Sequence, residues 1–336
     1  MAAGVHACTV PETMPDLFQP EAHMNLIKQV ENADTKLRSH VIETPFIQAP
    51  WLGSRTCLKL ENQQHTGSFK ARGALNRVLE LDDDTARRGL VAASTGNHAL
   101  AVAWAAEQAS IDDVLIYAPA SITETKRSKL ASKGIGIEIH GEDCSEAEAH
   151  ARRIADETGR CFISPYNDLL VVAGQGTVGM ELARQTTQLD VAFIAVGGGG
   201  LISGSAAVLK ARWPDIQIIG CLPIQSPAML RCLEAGKIID VECGPTLSDG
   251  TAGGVEPEAI TFDLCQQLVD DWILVEEDEI EDAVSQVHHH HDMRVEGAAG
   301  VAVAALQKSI DRWQNQHAAV VICGGNAASD RKPPTL

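Results

Sequence analysis

The run from residue 191 to residue 220 constrains the fold most. Val191-Ala192-Phe193-Ile194-Ala195-Val196 is apolar without interruption. Four glycines follow, Gly197 to Gly200, then a helix-forming stretch from Leu201 to Arg212 and a second strand from Ile216 to Gly220. A short apolar run between turn signals reads as a buried strand, and strand–helix–strand order implies a mostly parallel sheet covered on both faces. The same alternation continues elsewhere. Helices are expected over 26–42 (closed by Thr44-Pro45), 71–81, 99–108, 124–133, 146–157, 175–185 and 297–308. Strands are expected over 57–60, 89–93, 114–118, 135–140 and 318–323. The fold class is therefore α/β. There is no internal repeat and no long linker.

Composition narrows the function. With 336 residues, the chain has room for two ordinary lobes or one large α/β unit, and 45% apolar residues suffice for a packed core. The net charge of −18 argues against nucleic acid or an anionic membrane as the main partner. An anionic cofactor stays possible, because backbone amides bind phosphate locally. Nine scattered cysteines, an odd number with no CxxC pair, read as reduced thiols in a cytoplasmic protein. No apolar run reaches membrane-spanning length. Residues 1–20 carry Glu12, Asp16 and three prolines without an apolar core, so they read as a loose arm and not a secretory signal.

Four junctions carry chemistry. Lys70 follows Thr66-Gly67-Ser68-Phe69 and opens a short helical run. A lysine held among apolar groups loses its proton easily and becomes a nucleophile, as a Schiff base requires. Taken alone, it reads first as a plain helix-start lysine, and the other motifs reverse that. Gly197–Gly200 between strand and helix makes an anion cradle at a helix N-terminus. A dinucleotide fingerprint fails there, because the third glycine position is Ser203 and no acidic residue follows the next strand. Ser94-Thr95-Gly96-Asn97 is a second strand-to-helix junction, suited to a carboxylate or simply to capping. Cys323-Gly324-Gly325-Asn326 ends a buried strand, and its thiol is either core or a hydrogen-bond partner for a ring nitrogen. The stretch Thr246 to Gly254 is a candidate active-site loop or a plain connection. In His288-His289-His290-His291, only His288 and His291 share a helix face. With no third ligand in sight, no metal is expected.

Together the TGSFKxRGA lysine, the STGNH junction, the GGGGL loop and the terminal CGGN resemble the serine/threonine dehydratase family of pyridoxal-phosphate enzymes, of the tryptophan-synthase-β fold type. The resemblance covers roughly residues 25 to 328. It implies fold type II: two α/β lobes, each with an open, mostly parallel twisted sheet flanked by helices. The large cofactor-binding domain would comprise 21–88 and 169–336, and a small mobile domain 89–168. It implies pyridoxal 5'-phosphate as cofactor and a small amino acid as substrate. Lys70 would be both Schiff base and general base, with Phe69 against the ring. Asn97 would meet the ring oxygen, Gly197, Gly198, Gly199, Gly200 and Leu201 the phosphate, and Cys323 the pyridine nitrogen. Glu296 would lie near the cofactor. Ser94, Thr95, Gly96, Asn97, His98 and Asn167 would line the substrate site.

The implied reaction is β-elimination from L-threonine or L-serine, giving a 2-oxo acid and ammonia. The implied assembly is a homodimer. A neutral thiol at the ring nitrogen leaves that nitrogen unprotonated and the ring a weaker electron sink, which suits elimination over transamination. Leu222 stands where racemase-type relatives carry an acidic cation ligand, and Thr95 where they carry serine. With Leu336 following soon after the CGGN strand, no C-terminal regulatory domain is expected. The loop Thr246 to Gly254 is also similar to dehydratases of hydroxyectoine breakdown. A racemase, a β-replacement enzyme and a non-catalytic ligand-binding protein remain the alternatives.

Overall fold

The computed structural model describes residues 20–142 and 144–326. Nearly all of the expected N-terminal arm therefore lies outside the described residues. Ten strands occur among them: β1 Phe46–Gln48, β2 Thr56–Leu60, β3 Leu90–Ala93, β4 Val114–Ala118, β5 Glu138–Ile139, β6 Cys161–Phe162, β7 Val191–Ala195, β8 Gln217–Pro223, β9 Asp271–Val275 and β10 Ala318–Ile322. They form two sheets, a six-stranded one in the order β1-β2-β10-β7-β8-β9 and a four-stranded one in the order β5-β4-β3-β6. Only β1 runs antiparallel, against β2. Strand β7 is buried at every position, as its sequence predicts. It lies inside the larger sheet between β10 and β8. Parallel strands put their carboxyl ends on one edge, and ligands of open α/β sheets bind there. β7 and β10 of the larger sheet run out into Gly197 and Cys323 on one edge, and β3 of the smaller sheet runs out into Ser94, which lines the same cavity.

Helix boundaries differ from expectation where glycine or half-burial blurred the pattern. The first helix is Pro20–Leu37 and stops short of Ile42. The helix expected from Gln175 begins at Leu169, capped by Asp168, whose Oδ1 accepts from Leu170 N at 2.8 Å. Gly174, Gly176 and Gly179 weaken its helical signal, yet Gly176 and Gly179 let it lie close against the helix Gly200–Arg212, and Gly174 lets it lie close against the helix Lys70–Val78. A Cβ on Gly204 would stand 2.3 Å from Val172 O, and one on Gly176 2.9 Å from Gly204 O. Strands β1, β6 and β9 and the helices Ala228–Glu234, Ile260–Leu268 and Glu277–His291 are not among the elements expected from the sequence, although Ile280, Ala283, Val284 and Val287 repeat at helical spacing. The helix Lys70–Val78 ties the sheets together. Its Leu75 and Val78 belong to the core of the four-stranded sheet with Leu90, Ala92 and Ile116. Its Gly73 packs against Val171 of the helix Leu169–Gln185.

Candidate active site

A cavity of about 770 Å³ opens at the carboxyl ends of both sheets. Lys70 reaches it from a loop stitched to the end of β10. Phe69 N donates to Cys323 O at 3.1 Å, Gly325 N donates to Gly67 O at 2.9 Å, and Ser68 bridges to Gly324. Lys70 Nζ donates to Pro165 O at 2.8 Å. It also lies 5.1 Å from the Phe69 ring centroid. Burial pulls the amine down to about 8, with the Glu296 carboxylate opposing it. Such an amine sheds its proton far more readily than a surface lysine does and becomes nucleophilic.

Across the cavity, Gly197 to Gly199 lead from β7 into the helix Gly200–Arg212. Gly199 has φ 84°, a left-handed conformation that glycine adopts freely. Tyr166 lies flat against Gly198: a Cβ there would come within 2.2 Å of the ring. The first turn of a helix leaves its N–H groups without intrahelical partners, so this loop is an anion cradle with room for a phosphate.

The third wall is Ser94 to His98, between β3 and the helix Asn97–Gln108. Ser94 Oγ accepts from Gly96 N at 3.2 Å. His98 pairs through Nε2 with Ile163 O at 2.7 Å. Burial, with the Lys70 charge beside it, drives its pKa down to about 3, so it is neutral. Asn97 Nδ2 donates to both Glu296 oxygens, at 2.9 and 2.8 Å, and its Oδ1 accepts from Asn326 Nδ2 at 2.7 Å. Cys323 Sγ stands 3.9 Å from Glu296 Oε1. Burial and the Glu296 charge push the thiol well above its ordinary range, so it too is neutral.

Every expected site residue but one therefore lines the cavity: Phe69, Lys70, Ser94 to His98, Gly197 to Leu201, Glu296 and Cys323. The exception is Asn167, whose Oδ1 accepts from Ile260 N at 2.9 Å, away from the cavity wall. Its neighbours Pro165 and Tyr166 face the cavity instead, and so does Gln175. None of these three has a sequence signature of its own; only their position after a short strand and on a glycine-rich helix hints at them. Most of the loop Thr246 to Gly254 also lines the cavity. Its Asp249 pairs with Lys126 at 3.3 Å, across the cavity mouth. The histidine tract divides its contacts. His288 faces the cavity, whereas Trp51 stacks on His290 at 4.7 Å and donates to His291 Nε2 at 2.9 Å. Leu222 is buried at the end of β8. Among the described residues, no three metal-ligating side chains gather.

A low-pKa amine, an anion cradle and a neutral thiol around one cavity match an aldehyde, a phosphate and an unprotonated ring nitrogen. The comparisons agree. The chain is 37% identical over 310 residues to the L-threonine ammonia-lyase of Thermotoga maritima, spanning 90% of this chain and 76% of that protein. Its structure is similar to threonine deaminase isoform 2 of Solanum lycopersicum, with a TM-score of 0.86 and 29% identity, covering 98% of this chain and 96% of that one. It is also similar to maize serine racemase, with a TM-score of 0.84 and 30% identity, covering 90% and 93%. The family model described as pyridoxal-phosphate dependent enzyme matches residues 37–324, and with the cavity built as it is, the chain belongs to that family.

Proposed function

We propose that the protein is a pyridoxal-phosphate-dependent ammonia-lyase acting on a β-hydroxy amino acid, L-threonine or L-serine, and releasing a 2-oxo acid and ammonia. One observation carries this reading: the Lys70 amine, lowered to about 8, faces a cavity walled by the glycine cradle and the Ser94–His98 loop. The similarity to a threonine ammonia-lyase supports the substrate class. When bound, the cofactor withdraws electrons from the substrate Cα and acidifies its proton.

The chain's own residues do the rest. Gly197 to Leu201 would hold the phosphate and Cys323 the ring nitrogen, and Asn97 would serve the ring oxygen by giving up one of its two bonds to Glu296. Amides and hydroxyls of Ser94 to Asn97 hold the substrate carboxylate at a positive helix end. Neutral His98 adds no charge to that pocket. Lys70 would hold the cofactor covalently and, once displaced by the substrate amine, would take the Cα proton as general base. The Cα–H electron pair would become the Cα–Cβ double bond as the Cβ–O bond breaks, its own pair leaving on the oxygen, which takes up a proton and departs as water. Lys70 would then regain its bond, and the freed enamine would take up water to give the 2-oxo acid and ammonia.

Residues 89–168 form a small unit that closes over the substrate, against a large unit of 21–88 and 169–336. The Lys126–Asp249 and Arg152–Glu256 ion pairs between the two support this motion. The working form is a homodimer in the cytoplasm.

The test is an absorbance scan of purified protein before and after L-threonine or L-serine, with 2-oxo acid assayed in the same tubes. A shifted visible band with oxo acid supports the lyase. A band without oxo acid from either substrate sinks it. Similarity to maize serine racemase favours a second reading, racemisation, which chiral analysis of the residual amino acid separates.

A further inference from the structure

Two side chains share one carbonyl behind the glycine cradle. Lys70 Nζ donates to Pro165 O at 2.8 Å, and Gln175 Nε2 donates to the same oxygen at 3.2 Å. Gln175 lies on the helix Leu169–Gln185 and is only 1% exposed. Its stem packs on the lysine helix, since a Cβ on Gly73 would come 3.0 Å from Gln175 Cγ. Its Oε1 is sealed from solvent without a hydrogen-bond partner and faces Gly200, where a Cβ would stand 2.5 Å away. The amide orientation follows from chemistry. Turned over, Oε1 would meet Pro165 O, acceptor against acceptor, so the donor belongs on the carbonyl side.

A carbonyl oxygen has two lone pairs and takes two donors. Lys70 is not a permanent one. A lysine that alternates between a covalent bond and a free amine leaves and rejoins that carbonyl in each turnover. Gln175 stays. We propose that Gln175 is a positioning residue for Lys70: it holds the Pro165 carbonyl as the fixed acceptor to which the freed amine returns, with the nitrogen lone pair aimed at the substrate Cα. By occupying one lone pair, Gln175 also limits the carbonyl's hold on the lysine ammonium and so favours the neutral amine. The other groups acting on Lys70, which are Glu296, Cys323 and His98, lie on separate elements. This inference rests on the reading of Lys70 as the base.

The experiment compares the full-length wild-type chain with Gln175→Met, of similar size but no donor, and with Gln175→Glu, whose carboxylate cannot donate. Cofactor-free protein is mixed with pyridoxal phosphate at a series of pH values. Growth of the visible band is followed, with Lys70→Ala as the blank. In Gln175→Met, Lys70 becomes the sole donor to the carbonyl, and the midpoint of capture moves up by about half a pH unit or more. In Gln175→Glu it moves further, because an added negative charge favours the ammonium. In turnover, kcat falls roughly tenfold while KM holds within about twofold. Variants that melt like the wild type, with an unmoved midpoint and unchanged kcat, overturn the proposal and leave Gln175 a packing residue. If Gln175→Met does not fold, an unmoved midpoint in Gln175→Glu alone overturns it. A band in Lys70→Ala equal to that of the wild type is a different failure, that of the lysine assignment itself.

Discussion

Arg72 grips Glu61 with two parallel hydrogen bonds, Nε to Oε2 at 2.7 Å and Nη2 to Oε1 at 2.8 Å, and both side chains are wholly buried. The third guanidinium nitrogen donates to Glu181 Oε1 at 2.7 Å, and Glu181 also pairs with buried Lys59. Two cations and two carboxylates thus cancel beneath the helix that starts with Lys70. Arg72→Ala leaves Glu61 uncompensated in the interior, a loss of about 3–5 kcal/mol. Urea denaturation measures it. A loss under about 1 kcal/mol would show that water reaches this network.

The lowered pKa of Lys70 sets when the amine is free to react. Its folded value, about 8, lies below the ordinary lysine value, so the neutral form appears earlier as pH rises. Cofactor capture by the cofactor-free chain should therefore speed up with pH and level off above a midpoint near 8. A midpoint near that of an ordinary lysine would show that the amine is solvated.

Gly198 has no room for a side chain, with the Tyr166 ring 2.2 Å from a Cβ. Gly198→Ala must push the tyrosine or the loop aside, and pyridoxal-phosphate affinity should fall by roughly tenfold or more, as misplaced positioning groups typically cost. Equilibrium dialysis gives the number. Adding Tyr166→Ala restores part of the affinity if the clash is the cause.

Asn167 fastens the chain and does not touch the cavity. Its loss removes one acceptor for Ile260 N, so Asn167→Ala should cost about 1–2 kcal/mol of stability. KM should stay within about twofold. A large rise in KM at unchanged stability would return Asn167 to the substrate site.

Glu256 is raised to about 7, by burial first and then by the Glu148 charge, with Arg152 opposing. Its folded pKa exceeds its unfolded one, so the native state binds the proton more firmly. The stability this supplies is complete below the ordinary glutamate value and is lost as pH rises through about 7. The melting temperature of the wild type should therefore fall between pH 5 and pH 8 relative to that of Glu256→Gln, an uncharged mimic. Parallel melting curves across that range would rule the shift out.

The sequence made the βαβ core legible because β7 is apolar at every position and runs straight into its glycines. It also disclosed the lysine, the cradle and the thiol, because each sits where a strand or loop hands over to a helix or turn. Edge strand β9 escaped, since a half-buried strand carries a mixed pattern, whereas the helix Glu277–His291 was legible in Ile280, Ala283, Val284 and Val287 and was overlooked. The start of the helix Leu169–Gln185 was hidden by glycines whose purpose is close helix packing. Tyr166 and Gln175 could not be read at all. Tyr166 matters through the space it fills over Gly198, and Gln175 through a carbonyl that belongs to Pro165. Such roles are made by the fold and not by any local pattern.

The stitching of the Lys70 loop to the end of β10 runs through main-chain bonds at Phe69–Cys323 and Gly325–Gly67, with one side-chain donor, Asn326 to Thr66 O, beside them. The distance between the lysine and residue 323 is therefore indifferent to which side chain stands at either place. A lineage carrying this frame is free to exchange thiol for hydroxyl at position 323 and so change the polarity of that wall of the cavity. The anchor need not move while it does so.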